Sequence, residues 1–224
     1  MNFILLQVDT TGIETTSDIS TSLFDLLIKG GILMIPLAIL LIIAIYIFIE
    51  RYLTIKKASK IDPNFMNNIR DYVTNGNLAA AKNLCRNTDS PVSKMVEKGL
   101  LRIGKPLKNI DVAIENTGKL ELFKMEKGLA GLATIAGAAP MLGFLGTVLG
   151  MIGAFYNLAQ AGGEGGAELL ANDIYQALVT TATGLTIGII AYIGYNTLVS
   201  MVEKLVFKME ATSVEFIDLL QEPA

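Results

Sequence analysis

The sequence has no histidine, no tryptophan and a single cysteine among its 224 residues. Without histidine it lacks the side chain that most often serves as a neutral-pH base or a transition-metal ligand. A lone Cys85 excludes an internal disulfide and a cysteine-built metal cluster. Cys85 falls in the charged middle of the chain and reads as a small, reduced, partly buried side chain. No Walker-type loop, nucleophile with its base, or basic surface suited to nucleic acid is present. The run Gly162–Gly163–Glu164–Gly165–Gly166 is glycine-rich, but it follows a long apolar stretch and reads as a turn. These absences point away from an enzyme, from a cofactor or metal, and from a nucleic-acid partner.

Charge is missing over three long stretches: Gly30 to Ile49, Gly128 to Gly163, and Ile174 to Val202. A helix rises about 1.5 Å per residue, so roughly 20 apolar residues cross a hydrocarbon layer about 30 Å thick. The first stretch just suffices and the other two exceed the need, which allows tilt or extension beyond the lipid. Buried helices of soluble proteins seldom run so far without a charge, so three membrane spans are expected. Met1 to Val8 has no basic segment and too short an apolar run for a cleaved secretory signal.

The lysines and arginines are partitioned as Lys29 before the first span, fifteen between Arg51 and Lys127, and Lys204 and Lys208 after the third. The stretch Gly162 to Asp173 has none and carries Glu164, Glu168 and Asp173 instead. Basic residues close to span ends are retained on the cytoplasmic side. The expected topology has the N-terminus outside, the long middle segment cytoplasmic, the acidic loop outside and the C-terminus cytoplasmic.

The expected organisation is an outer segment over 1–29, span one over 30–50 and a cytoplasmic helical domain over 51–127. Span two follows over 128–160, an outer loop over 161–173, span three over 174–202 and a C-terminal cytoplasmic helix over 203–224. Leu23, Phe24, Leu26, Leu27 and Ile28 form either a short helix on the membrane surface or the first turn of span one. Within the middle segment, helix breaks are expected at Asp62–Pro63, Asn75–Gly76–Asn77, Ser90–Pro91 and Gly104–Lys105–Pro106. The apolar spacing from Leu107 onward predicts a helix that feeds directly into span two. Beyond Glu203 the spacing of Leu205, Val206, Met209, Val214 and Ile217 predicts a helical continuation of span three. The fold class is thus an all-α membrane protein: three transmembrane helices with long cytoplasmic extensions of the second and third.

Span two is rich in small residues, among them Gly143, Gly146, Gly150 and Gly153, and is interrupted by Pro140. In lipid, helices associate through close van der Waals contact, so a small-residue face marks a helix interface. On span three, Ala177, Thr181, Gly184 and Gly188 recur at helical spacing, within a set that includes Gln176, Thr180, Thr183 and Thr186. The threonine stripe has two readings, helix packing and pore lining. A threonine in a membrane helix can bond its own i−4 carbonyl, so its presence alone does not decide between them. No Asp, Glu, Lys, Arg or His lies inside any of the three stretches. Ion-coupled membrane proteins place a titrating group in the membrane; if this chain conducts, a partner must bring that group.

The run Ala139-Pro140-Met141-Leu142-Gly143-Phe144-Leu145-Gly146-Thr147-Val148-Leu149-Gly150-Met151-Ile152 resembles the signature of the MotA/TolQ/ExbB proton-channel family. Tyr175-Gln176-Ala177-Leu178-Val179-Thr180-Thr181-Ala182-Thr183-Gly184-Leu185 resembles the second motif of that family. Three spans rather than four favour its ExbB/TolQ branch, and the likeness covers roughly Leu23 to Leu205. The resemblance implies a homopentamer around two copies of a single-span ExbD/TolR-like partner, whose membrane aspartate takes up and releases protons. It further implies work on a TonB-like or Tol-Pal-like envelope system from the inner membrane, with lipid as the surrounding medium. Thr147, Thr181 and Gln176 would then line the ion pathway. Pro140, Gly143, Gly146, Gly150, Ala177, Gly184 and Gly188 would hold the helices together. Many members of the family carry glutamate at the position of Gln176; glutamine can hydrogen-bond but cannot titrate.

Overall fold

The computed structural model describes residues 30–160 and 166–221. Among them every element is an α-helix: α1 (Met34–Ala58), α2 (Phe65–Thr74), α3 (Leu78–Asn87), α4 (Pro91–Leu100), α5 (Leu107–Glu126), α6 (Leu129–Gln160) and α7 (Gly166–Gln221). The expected surface helix around Leu23–Ile28 lies outside the described residues. Three helical runs are long and apolar enough to cross a membrane: α1, the run Leu107–Gln160 that holds α5 and α6, and α7 from Leu170 onward. The chain divides into two compact units, Met1–Ala38 with Pro140–Thr186, and Ile39–Ala139 with Ile187–Ala224.

The second unit holds the charged segment, and its short helices begin and end where the sequence places polar or glycine punctuation. Asn77 caps α3, its Oδ1 accepting from the Ala80 backbone N–H at 3.1 Å. Ser90 and Ser93 form a reciprocal capping box at the start of α4, with Pro91 in the first helical position. Such caps satisfy backbone donors that a helix end leaves without partners. α4 is the most buried of the short helices, with Val92, Met95, Val96 and Leu100 all inside. Two glycines set how closely its neighbours approach. A Cβ on Gly99 would lie 2.5 Å from a ring carbon of Phe216 and 2.9 Å from Ile114; one on Gly118 would lie 3.2 Å from Met95. The wholly buried Phe216 ring, on the last turns of α7, therefore rests against bare backbone.

Ion pairs tie elements of this unit to one another. Lys57 at the end of α1 pairs with Asp89 at 2.9 Å, and Lys94 on α4 pairs with Glu121 on α5 at 3.0 Å. Burial by itself would raise the Glu121 carboxyl. The hydrogen bonds and charges of Lys124 and Lys94 outweigh it and hold the group below the ordinary carboxylate range. The Arg51 guanidinium reaches the Lys124 carbonyl at 3.1 Å, satisfying one of the carbonyls that the last turn of α5 leaves open.

Two expectations about continuity need correction. The helix from Leu107 does not feed directly into span two: α5 stops at Glu126 and α6 starts at Leu129. Lys127 leaves helical geometry with ψ 127°, and Gly128 has φ +87°, a conformation that costs glycine little. The loop expected over 161–173 is shorter than that, because α7 is already helical from Gly166. Glu168 in its first turn is favoured there by the positive end of the helix dipole. From that point α7 runs without interruption to Gln221, through the position where span three and the C-terminal helix were expected to meet. α1 likewise continues beyond Glu50–Arg51 to Ala58.

Cys85 is buried on α3, and burial, reinforced by the nearby charge of Glu97, pushes its thiol up to about 12. Since the thiolate is the reacting species, native protein at neutral pH should resist maleimide and react promptly once unfolded. Rapid labelling of the native protein would show that Cys85 is not packed as described.

Candidate functional site

Within the first unit, the described residues are 30–38, 140–160 and 166–186, and the organising feature is a seam between α6 and α7. Gly143, Gly146 and Gly150 recur on one face of α6, opposite Ala177, Thr180, Thr181 and Gly184 of α7. A Cβ on Gly143 would sit 3.1 Å from the Thr181 Cα and 3.2 Å from the Gly184 Cα. One on Gly146 would lie 2.6 Å from the Thr180 methyl, and one on Gly150 would lie 2.6 Å from the Ala177 Cβ. Backbone thus meets backbone at Gly143, while glycine receives a small side chain at the other two positions. Lipid tails are as apolar as leucine, so this closeness is what two membrane helices gain by associating.

Hydroxyl groups stitch the seam. Thr181 Oγ1 donates to the Gly143 carbonyl at 2.7 Å. Thr180, only 2% exposed, places Oγ1 2.8 Å from the Gly30 carbonyl and 3.0 Å from its own-helix Gln176 carbonyl. Its single proton is therefore shared between the segment preceding α1 and α7 itself. Thr147 Oγ1 donates within α6 to the Phe144 carbonyl at 2.7 Å. In each case the proton is committed to a backbone carbonyl; on the half-buried Thr147 and Thr181 this leaves the oxygen lone pairs free to accept.

Toward the 161–165 end of the seam lies an open cleft of about 310 Å³. Gln176 lines it together with Gly31, Gly146, Gly150, Asp173 and Thr180. Gly31 has φ +72°, and a Cβ there would fall 2.1 Å from Gln176 Nε2, so only glycine fits. Asp173 accepts a hydrogen bond from Asn157 Nδ2 at 2.8 Å, joining α7 to α6.

Of the residues the sequence singled out, the structure brings Gly143, Gly146 and Gly150 together with Ala177, Thr181 and Gly184. Gln176 joins them through the cleft. Thr147 does not line that cleft, and its hydrogen bond stays on its own helix. Pro140 is half-buried within α6, which runs through it unbroken. Gly188 is buried, but it belongs to the second unit. Sequence reasoning passed over Asn157, used Asp173 only for topology and gave Thr180 no special role. Thr180 carries a signal in hindsight, one helical turn beyond Gln176. Asn157 and Asp173 carry none, because their meeting depends on how the two helices are joined. Among the described residues, no group of three or more His, Cys, Asp or Glu could hold a metal ion.

Fold and seam define a multi-pass, all-α membrane protein whose three charge-free stretches carry hydroxyls and glycines but no Asp, Glu, Lys, Arg or His. Residues 87–211 match the MotA/TolQ/ExbB proton channel family, and the chain belongs to that family. It is 31% identical over 182 residues to the biopolymer transport protein ExbB-like 1 of Synechocystis sp., covering 80% of this chain and 71% of that protein. An ExbB homologue of Methanothermobacter thermautotrophicus is 28% identical over 184 residues, covering 81% of this chain and 64% of its own. The biopolymer transport protein ExbB of Neisseria gonorrhoeae is 31% identical over 125 residues, covering 50% and 56% respectively. The matches thus span between about half and seven tenths of these relatives' lengths.

The seam sets its own energetic ranking. Overpacking a tight contact costs about 1–3 kcal/mol, whereas an interhelical hydrogen bond in lipid averages about 0.6 kcal/mol. Gly146→Val and Gly150→Val should each lower the thermal midpoint in detergent, followed by circular dichroism, by more than Thr181→Val does. A glycine variant as stable as the parent would mean that the helices are not in contact there.

Proposed function

We propose that this chain is the multi-span subunit of an ExbB-like proton-channel stator in the bacterial inner membrane, where it energises TonB-dependent outer-membrane transport. The observation that carries this reading is a wall of hydroxyls and glycines whose three charge-free stretches hold no Asp, Glu, Lys, Arg or His to relay a proton. A single-span partner of the ExbD type supplies the missing carboxylate, with five copies of this chain surrounding two of the partner. Lone pairs on Thr147 and Thr181 then face water or hydronium beside that carboxylate, and these acceptor atoms suit a cation path. The membrane potential contributes about 2.3 kcal/mol per charge per 100 mV, and successive protons turn it into motion of the partner within the ring. The chain performs no covalent chemistry, so it is not an enzyme.

Several features support this assembly. Phe144, Leu145, Val148, Leu149, Ile152 and Phe155 on α6, with Leu178 and Leu185 on α7, are exposed. Lipid or further copies must cover so much apolar surface. The distribution of lysine and arginine favours an outside N-terminus and a cytoplasmic C-terminus. The names of the relatives favour an ExbB-like role over a TolQ-like role in envelope integrity.

Co-reconstituted with its single-span partner in liposomes, the chain should pass protons when a potential is imposed. Thr147→Val and Thr181→Val should still assemble but lose flux about tenfold, equivalent to roughly 1.4 kcal/mol on the barrier. Gln176→Ala should retain most of the flux, since its side chain cannot titrate. Full activity in both threonine variants would leave a membrane scaffold whose hydroxyls only pack helices.

A further inference from the structure

A groove along α7 in the second unit combines uncommitted hydroxyls with unpaired cations, and the reading above gives it no role. Every threonine of α7 donates its hydroxyl proton to a backbone carbonyl: Thr180, Thr181, Thr183, Thr186, Thr197 and Thr212. Ser200 on the same helix and Ser59 just beyond α1 make no such bond among the described residues. Both serines line one open hollow of about 670 Å³, together with Lys204 and Lys208. Both lysines are exposed and form no ion pair among the described residues. Glu203 is the one carboxylate in that lining, and it also faces a separate cleft beside Glu126 and Glu210. Lys60, exposed and likewise without an ion pair there, follows Ser59 in the chain. Asp62 accepts from the Asn64 backbone N–H and does not line the hollow. The hollow therefore carries an excess of positive charge and several donors with nothing to donate to, which calls for an anion.

The shape of the groove says what carries that anion. Ser200, Lys204 and Lys208 follow one another at i, i+4 and i+8 along a single face of α7. A neighbouring hollow of about 500 Å³ shares Ser200, Met201 and Lys204 and continues past Thr197 and Asn196 to Ile193 and Tyr192. Those last two side chains are 60% and 61% exposed. From Tyr192 to Lys208 the groove follows about 24 Å of helix, at about 1.5 Å per residue. Val202, the last residue of the third charge-free stretch, falls within that length. The groove thus crosses the edge of the apolar span, with cations on one side and apolar surface on the other. A free anion would use only the cationic half, whereas an anionic amphiphile uses both.

We propose that this groove holds one anionic phospholipid, its phosphate among Lys204, Lys208, Ser200 and Ser59 and an acyl chain laid along α7 from Met201 to Tyr192. The lysine stems follow the helix surface while their ammonium groups stay at the level of the headgroup. Two ammonium groups one turn apart attract a phosphodiester as point charges, and the serine hydroxyls donate to its oxygens. A zwitterionic lipid brings its own cation beside the phosphate and gains less from the same lysines. The distribution of lysine and arginine favours the cytoplasmic leaflet for this end of α7; the site itself does not depend on which leaflet it is.

Native mass spectrometry of the delipidated full-length chain in a mild detergent, titrated with phosphatidylglycerol or phosphatidylcholine, tests the site without any assay of transport. Phosphatidylglycerol should bind about tenfold more tightly than phosphatidylcholine. Lys204→Gln combined with Lys208→Gln should abolish that preference, and Ser59→Ala combined with Ser200→Ala should weaken it. Lys105→Gln combined with Lys108→Gln removes the same charge from another exposed stretch and should leave the preference unchanged. Inorganic phosphate at the same concentration should not displace the lipid, because it has no chain to lay along α7. Equal binding of the two lipids, or a preference that survives loss of Lys204 and Lys208, overturns the site. Displacement by phosphate overturns it in favour of a plain anion site. A lysine variant that keeps the lipid preference but changes the number of chain copies in the particle overturns it in favour of a second copy in the groove.

Discussion

The close approach of α6 and α7 at Gly143 is the contact on which the rest of the candidate site depends. In water, two apolar helices are driven together by the solvent; in lipid that drive is absent, and only intimate packing remains. Three glycines on α6 permit it, with Cβ positions that α7 already occupies or crowds. Once the backbones meet, the Thr181 hydroxyl falls within reach of the Gly143 carbonyl and the Thr180 hydroxyl within reach of the Gly30 carbonyl. The hydrogen bonds follow from the packing and add little to its strength. Their larger consequence is chemical, because each commits a proton to the backbone and, at Thr181, leaves oxygen lone pairs for whatever stands opposite.

That arrangement gives physical content to the absence of charge. An ionisable group inside a span is costly unless it is paired or wetted, and this chain avoids the cost by carrying none in its three apolar stretches. In the reading proposed here the titrating group arrives on a partner, so the chain can be stable as a wall before the channel is complete. The charges it does have are concentrated in the segment between Arg51 and Lys127. There, pairs such as Lys94 with Glu121 join short helices whose core is packed by α4.

Much of this was legible in the sequence. Charge-free length announced the spans, and proline, asparagine and glycine marked the ends of α2, α3 and α4. Small residues on span two marked the seam, because membrane packing selects directly for residue size. Other features were hidden because they depend on geometry beyond local pattern. Gly128 was read only as the first residue of span two, yet it is the place where the backbone turns left-handed and separates α5 from α6. The acidic stretch before Ile174 read as loop, whereas from Gly166 it is the opening of α7. The pairing of Asn157 with Asp173 links residues on either side of the turn, and no periodicity in either helix foretells it.

The most direct test of the account is the native mass of the purified chain in a mild detergent, with and without co-expression of a single-span partner that bears a membrane carboxylate. The account predicts five copies alone, gaining two partner copies on co-expression, so that an uncharged wall encloses the group it lacks. A monomer or dimer that takes up no such partner would contradict it.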